Sequence, residues 1–181
     1  MPNTTTHEQI AFLRGLRAVR AFRPDPVPQE ALDAILDVAR WSGSASNRQP
    51  WELVIVRDPA TKQALIEVEG YIQHLASAPL GIVLVMNGAP DKEEQEIYDE
   101  GRLGERIMLA ASAYGLGSCI GWLVGDGVSA TKALLGIPDQ RRVKTILSLG
   151  YPDEEALRSR PKRPQARKPL SKIVHMEKYG K

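Results

Sequence analysis

Three short segments carry residue types that could do chemistry. The first is Arg17-Ala18-Val19-Arg20-Ala21-Phe22. Two arginines three apart on an extended arm can turn onto one anion, and their guanidinium forks suit phosphate. The second is the run Ser42-Gly43-Ser44-Ala45-Ser46-Asn47-Arg48-Gln49-Pro50-Trp51. Its hydroxyls and amides could meet the N–H and C=O edge of a flat heterocycle. The third is Tyr114-Gly115-Leu116-Gly117-Ser118-Cys119-Ile120-Gly121-Trp122, whose glycines allow close backbone approach. Its spacing is G-x-G-x-x-x-G and it follows a helix, so it is not the dinucleotide fingerprint, which follows a strand. Taken singly, each segment also has an ordinary reading: surface arginines, a Ser/Asn turn, and a helix cap with a bend. Cys119 stands in an apolar, glycine-flanked run and reads as a buried structural thiol. No residue is assigned as catalytic acid, base or nucleophile. One cysteine and three scattered histidines (His7, His74, His175) build neither a disulfide nor a metal cluster.

The elements that must position these segments follow from pattern. Thr6 and Gln9 fit a capping box opening a short helix to about Leu16. Prolines at 24, 26 and 28 keep residues 17–28 extended. Pro28 then opens a helix whose Leu32, Ile35, Leu36 and Ala39 form one buried face. WELVIVR (51–57), GIVLVMN (81–87), SCIGWLV (118–124) and VKTILSLG (143–150) read as four strands, the second covered on both faces. Asp58-Pro59 starts a helix to about Glu69, and residues 92–114 form the longest helix, with Leu103, Ile107 and Ala111 on one face and Gly115 as its C′ residue. A short helix over 129–135 ends at Gly136.

The chain has 181 residues and a net charge of +2, which fits one domain with a real core and gives no whole-chain signal for nucleic acid. The N-terminus lacks a basic and an apolar region, and no apolar run is long enough to span a bilayer, so a cytoplasmic protein without membrane attachment is expected. Basic residues concentrate in residues 158–168, within a tail from Tyr151 onward that has little structure of its own. Such a tail is disordered, captures an anionic cofactor, or binds a polyanion. Its Ile173-Val174-His175-Met176 could also add a strand to the sheet edge of a second copy.

In this order the segments resemble the FMN-dependent nitroreductase family from about Leu16 to His175. The matching pieces are RAVRAF, ALDAILDVARWS, SASNRQPW, GIVLVMN, AASAYGLGSCIG, LLGIPD, ILSLGYP and RKPLSKIVH. The resemblance implies an α+β fold: a three-layer sandwich with a central mixed, mostly antiparallel sheet flanked by helices. It implies a single domain over 1–181 whose residues 151–181 exchange with the partner of a homodimer. Two FMN pockets would lie at the interface. Arg17 and Ala18 match the phosphate arm, and Arg20 would lie near the phosphate or the pyrimidine edge of the flavin. Ser44, Ser46 and Asn47 match the loop supplied by the partner, and Gln49 lies beside it. The backbone of Gly121 and Trp122 matches that facing the flavin near N5, and Arg167 with Lys168 match a basic pair closing over the phosphate. Gln73 or His74 is expected at the flavin edge.

The implied activity is ping-pong transfer of hydride from NADH or NADPH, through FMN, to small electron-poor acceptors such as nitroaromatics or quinones. Two departures qualify this. Ala18 stands where the family often has a serine, so that contact is backbone-only or absent. The stretch between Asn87 and Tyr114 is short, which predicts an open acceptor pocket. Two alternatives stay open at this point. The same fold and FMN could serve dehalogenation, enone reduction, heterocycle oxidation or flavin fragmentation. The basic tail could instead mark a non-enzymatic polyanion-binding protein.

Overall fold

Alternating apolar residues organise the chain around one sheet. The computed structural model describes residues 4–159 and 167–180. In chain order the elements are α1 (Thr4–Gly15), α2 (Gln29–Arg40), β1 (Trp51–Val56), α3 (Pro59–Ile66), β2 (Leu80–Met86), α4 (Glu93–Ala113), β3 (Gly117–Trp122), α5 (Gly127–Leu135), β4 (Arg142–Gly150) and α6 (Glu154–Ser159). The sheet order is β1-β2-β4-β3, and all its pairings are antiparallel. The sheet expected to be mixed is thus antiparallel throughout. The one parallel pairing among the described residues is an isolated bridge, Ala18 to Ser118.

β2 is buried along its whole length. Its side chains alternate between two cores, as strand geometry requires. Leu80, Ile82 and Leu84 join Leu32 and Ile35 of α2 and Leu103 and Ile107 of α4. Val83 and Val85 join Leu65 of α3, Ile72, Leu75 and Leu123 on the other face. Helices on both faces give the three layers. Emptying a wholly buried position such as Ile35 or Leu65 to alanine costs about 2–5 kcal/mol.

Helix ends follow local chemistry, with one correction. Thr6 lies inside α1, which already includes Thr4, so it is not a cap. Asp58 caps α3: its carboxylate accepts the Thr61 N–H at 2.7 Å and the Thr61 hydroxyl at 2.8 Å. Those bonds hold the Asp58 pKa below its ordinary value. Gly115 (φ +70°) and Gly136 (φ +65°) take the left-handed conformation that ends α4 and α5.

The body extends beyond the boundary expected at Tyr151. The Arg23 N–H donates to Tyr151 O at 2.9 Å, and the Asp153 N–H donates to Ala21 O at 3.1 Å. The Arg23 guanidinium lies over the Tyr151 ring, 5.1 Å from its centroid. Residues 151–153 therefore brace the proline-rich arm, and α6 follows. Within the basic run 158–168, residues 160–166 lie outside the described residues. From 167 to 180 every residue is exposed, including Leu170, Ile173, Val174 and Met176. Among the described residues no helix is long and apolar enough to cross a membrane.

Candidate functional site

The arm reaches its place through bare backbone on β3. The Val19 N–H donates to Ser118 O at 2.8 Å, and a Cβ on Gly117 would meet the Val19 side chain at 2.7 Å. Glycine at 117 is what lets the arm lie flat on the strand. Gly121 does the same for the turn over Gln73–Ala76: a Cβ there would meet Ile72 at 2.6 Å, and His74 Nε2 and the Tyr71 carbonyl at 2.9 Å. One strand thus gathers two distant segments, Arg17–Arg20 and Tyr71–His74.

Around this strand two hollows form. One, of about 500 Å³, is lined by Arg14, Arg17, Ala18, Met108, Glu105 and Arg167. Three guanidinium groups against one carboxylate leave it cationic, which suits phosphate. Arg17 Nη1 currently donates to Arg14 O at 2.6 Å and Leu16 O at 2.7 Å, capping the end of α1. The other, of about 290 Å³, is lined by Arg20, Tyr71, Gln73 and His74. Gln73 Nε2 donates to Gly70 O at 3.1 Å, and His74 Nδ1 pairs with Ser148 Oγ at 2.7 Å. The expected partners Arg17, Ala18 and Arg167 are brought together, as are Arg20, Gln73 and His74. Lys168 is exposed beside Arg167.

The hydroxyl and amide loop stands elsewhere. It leads into β1, the opposite edge strand from β3. Three strand spacings separate those edges, about 14 Å. Within the loop Ser46 (φ 51°), Asn47 (φ 54°) and Gln49 (φ 50°) are left-handed, a conformation that L-residues adopt at a cost. The Ser44 hydroxyl accepts the Gln49 N–H at 2.9 Å and closes the loop on itself, and the Gln49 side chain donates to Asn47 O at 3.2 Å. Strain concentrated in a polar loop is a mark of function.

The strand at Gly121 and Trp122 divides its backbone between two sides. The Tyr71 N–H donates outward to Trp122 O at 2.7 Å, whereas the Leu123 N–H reaches inward to Lys144 O at 2.9 Å. Alternation then turns the Gly121 amide toward Ile146 of β4, and the outward-facing backbone belongs to Ile120 and Trp122. The Trp122 side chain is half exposed. Together with Ile97, Ile120 and Thr145 it borders a wider groove of about 560 Å³ between α4 and the end of the sheet. Cys119 is buried, with Sγ 3.6 Å from Ile120 O.

Pattern reading overlooked the acids of α4. Glu96, Asp99 and Glu100 are all buried. Glu96 accepts the Gly88 and Ala89 N–H groups at 2.9 and 3.3 Å, Glu100 pairs with Arg142 at 2.7 Å, and Asp99 accepts the Ala45 N–H at 3.2 Å. The available signal was register: residues 96, 99 and 100 continue the buried face of Leu103 and Ile107. Polar residues at apolar positions imply partners.

Known proteins carry the same pattern. The nitroreductase family profile matches residues 13–76, and a second profile, TM nitroreductase, matches residues 85–180. An NADH dehydrogenase of Thermus thermophilus is 32% identical over 87% of this chain and 90% of its own length. The nitroreductase NfnB of Mycolicibacterium smegmatis is 29% identical over 80% of this chain and 83% of its own. Among solved structures, an FMN-dependent nitroreductase of Clostridium difficile R20291 superposes with a TM-score of 0.77 at 27% identity, covering 94% of this chain and 99% of its own. With the arm, the strained loop and the glycine-cleared strand all in place, the chain belongs to the nitroreductase family of oxidoreductases.

Proposed function

We propose that two copies of this chain form an FMN-dependent oxidoreductase that uses NADH or NADPH to reduce small electron-poor acceptors. One observation carries the reading: the cationic arm and the strained polar loop occupy opposite sheet edges. Two such edges converge on one ligand when the loop comes from a second copy. Donor chemistry fits the cofactor. Arg17 and Arg167 suit its phosphate, and Arg20 and Gln73 suit the polar edge of its ring system. Ser44, Ser46 and Asn47 supply hydroxyl and amide groups from the partner side.

Bound FMN would supply the redox chemistry, taking hydride from the nicotinamide and passing electrons to the acceptor in alternate half-reactions. The protein's own part is to bind, orient and exclude water. Arg20 places positive charge in the hollow with Gln73 and His74, where it would offset the negative charge a bound flavin gains on reduction. Tyr71 is an exposed aromatic lining that hollow, and Trp122, also exposed, borders the groove beside α4; each offers flat apolar surface. Residues 87–92, with one short turn over Pro90–Lys92, and α4 are all that lie between β2 and Tyr114, so no extra helix there roofs the acceptor side. Such a site admits nitroaromatics and quinones.

Purified protein is expected to be yellow, dimeric by sedimentation, and bleached anaerobically by NADH or NADPH. Removal of residues 167–181 should release FMN and weaken the dimer, while leaving the 151–153 brace intact. A colourless protein that takes up no added FMN, or a monomer in excess FMN, overturns the proposal. Reoxidation with nitroaromatics, quinones, enones and halogenated aromatics then ranks the acceptors.

A further inference from the structure

We infer that one face of α4, Gln95–Asp99–Arg102, sets the conformation of the loop over residues 43–49, which makes Asp99 a positioning residue of the site. Residues 95, 99 and 102 are spaced four and three apart and share a helix face. Gln95 and Asp99 each accept a hydrogen bond from the loop, and Arg102 packs over it. Arg48 Nη2 donates to Gln95 Oε1 at 2.5 Å. The Ala45 N–H donates to Asp99 Oδ2 at 3.2 Å. Arg102 lies over Gly43, where any Cβ would collide with its guanidinium, and its Nη1 stands 3.8 Å from Asp99 Oδ1.

The loop needs this grip. Ser46, Asn47 and Gln49 are left-handed, and relaxation of each would release about 1–2 kcal/mol. The fastened positions 45 and 48 lie on either side of Ser46 and Asn47. Asp99 is 2% exposed, and a buried carboxylate is costly unless its hydrogen bonds matter. Packing alone would be served better by an apolar residue. Asp99 therefore acts on the ligand through the loop, without touching it.

The inference rests on the FMN reading for its ligand, but its test has an arm that needs no ligand. Asp99→Ala, Asp99→Asn and Gln95→Ala would be compared with the parent by FMN titration and by the rate of tryptic cleavage after the exposed Arg48. Asparagine keeps an oxygen that can accept the Ala45 N–H. Asp99→Ala is expected to weaken FMN binding about tenfold, the loss of one buried hydrogen bond, and to speed cleavage at Arg48. Asp99→Asn should restore both within about twofold. Gln95→Ala, on the exposed rim, should speed cleavage, and it decides the matter if Asp99→Ala does not fold. Unchanged cleavage in Gln95→Ala and Asp99→Ala overturns the inference, as does equal loss in Asp99→Ala and Asp99→Asn. If the parent binds no FMN, the functional proposal fails, while the cleavage rates still judge the role of α4.

Discussion

The arm on β3 and the loop before β1 both present polar groups, yet they are held by opposite means. The arm is held mainly by backbone: Val19 pairs with Ser118, Ala21 and Arg23 pair with Asp153 and Tyr151, and a single side chain, the Ser77 hydroxyl, accepts the Phe22 N–H at 3.3 Å. Glycine at 117 provides its clearance. The loop is held by side chains, from Ser44 within it and from α4 beneath it. A backbone-held segment keeps its path when its outward side chains change. A side-chain-held segment does not.

The largest effect should come from the arm's arginines. Replacing Arg17 and Arg20 together with alanine should weaken FMN by at least about a hundredfold, since charge-assisted bonds contribute about 1.5–3 kcal/mol each. The melting temperature should barely move; a large drop would show that side chains hold the arm after all. Next comes clearance. Gly117→Val would press on Val19 and should cost about 1–3 kcal/mol in urea unfolding, as overpacking does. Gly104→Ala, whose Cβ would meet only Leu84 at 3.9 Å, is the matched control and should leave stability unchanged or raised.

Within the loop the expected change is smaller. Ser46→Gly removes left-handed strain but loosens the unfolded chain, so stability should shift by less than about 1 kcal/mol. FMN should dissociate faster from this variant, because the loop loses its preset shape. The smallest effect belongs to Asp58→Ala at the start of α3, seen as a small drop in melting temperature at neutral pH. The Asp58 pKa is lowered on folding, so its contribution is present above the ordinary carboxylate range and fades as pH falls through the lowered value. The two melting curves should therefore converge in acid.

Much of the scaffold was legible because it obeys period. GIVLVMN is buried along its length, and Leu32, Ile35 and Ala39 form the inner face of α2. Gly115 and Gly136 end helices as their type suggests. Residues 17–20 and 167 could be linked only through the family resemblance, because nothing in spacing says that a tail returns to an arm. The glycines of residues 115–121 invited a ligand reading, whereas Gly117 and Gly121 admit Val19 and the Tyr71–His74 turn. Tyr151 looked like the start of a loose tail because the partners of Tyr151 and Pro152, Arg23 and Phe22, are far away in sequence. The left-handed backbone at Ser46, Asn47 and Gln49 was unreadable for the opposite reason. Serine and glutamine carry no signal for that backbone, and its cause lies in α4.

The seat of Arg102 over Gly43 also has an evolutionary reading. Position 43 can gain a side chain only if position 102 gives up its guanidinium or sends it elsewhere. The guanidinium is the free end of an exposed side chain, so a residue bearing a Cβ at 43 is expected to displace it from Asp99 at little cost in stability. The two sites are thus loosely coupled, and substitutions at 43 should be tolerated best alongside a shorter residue at 102.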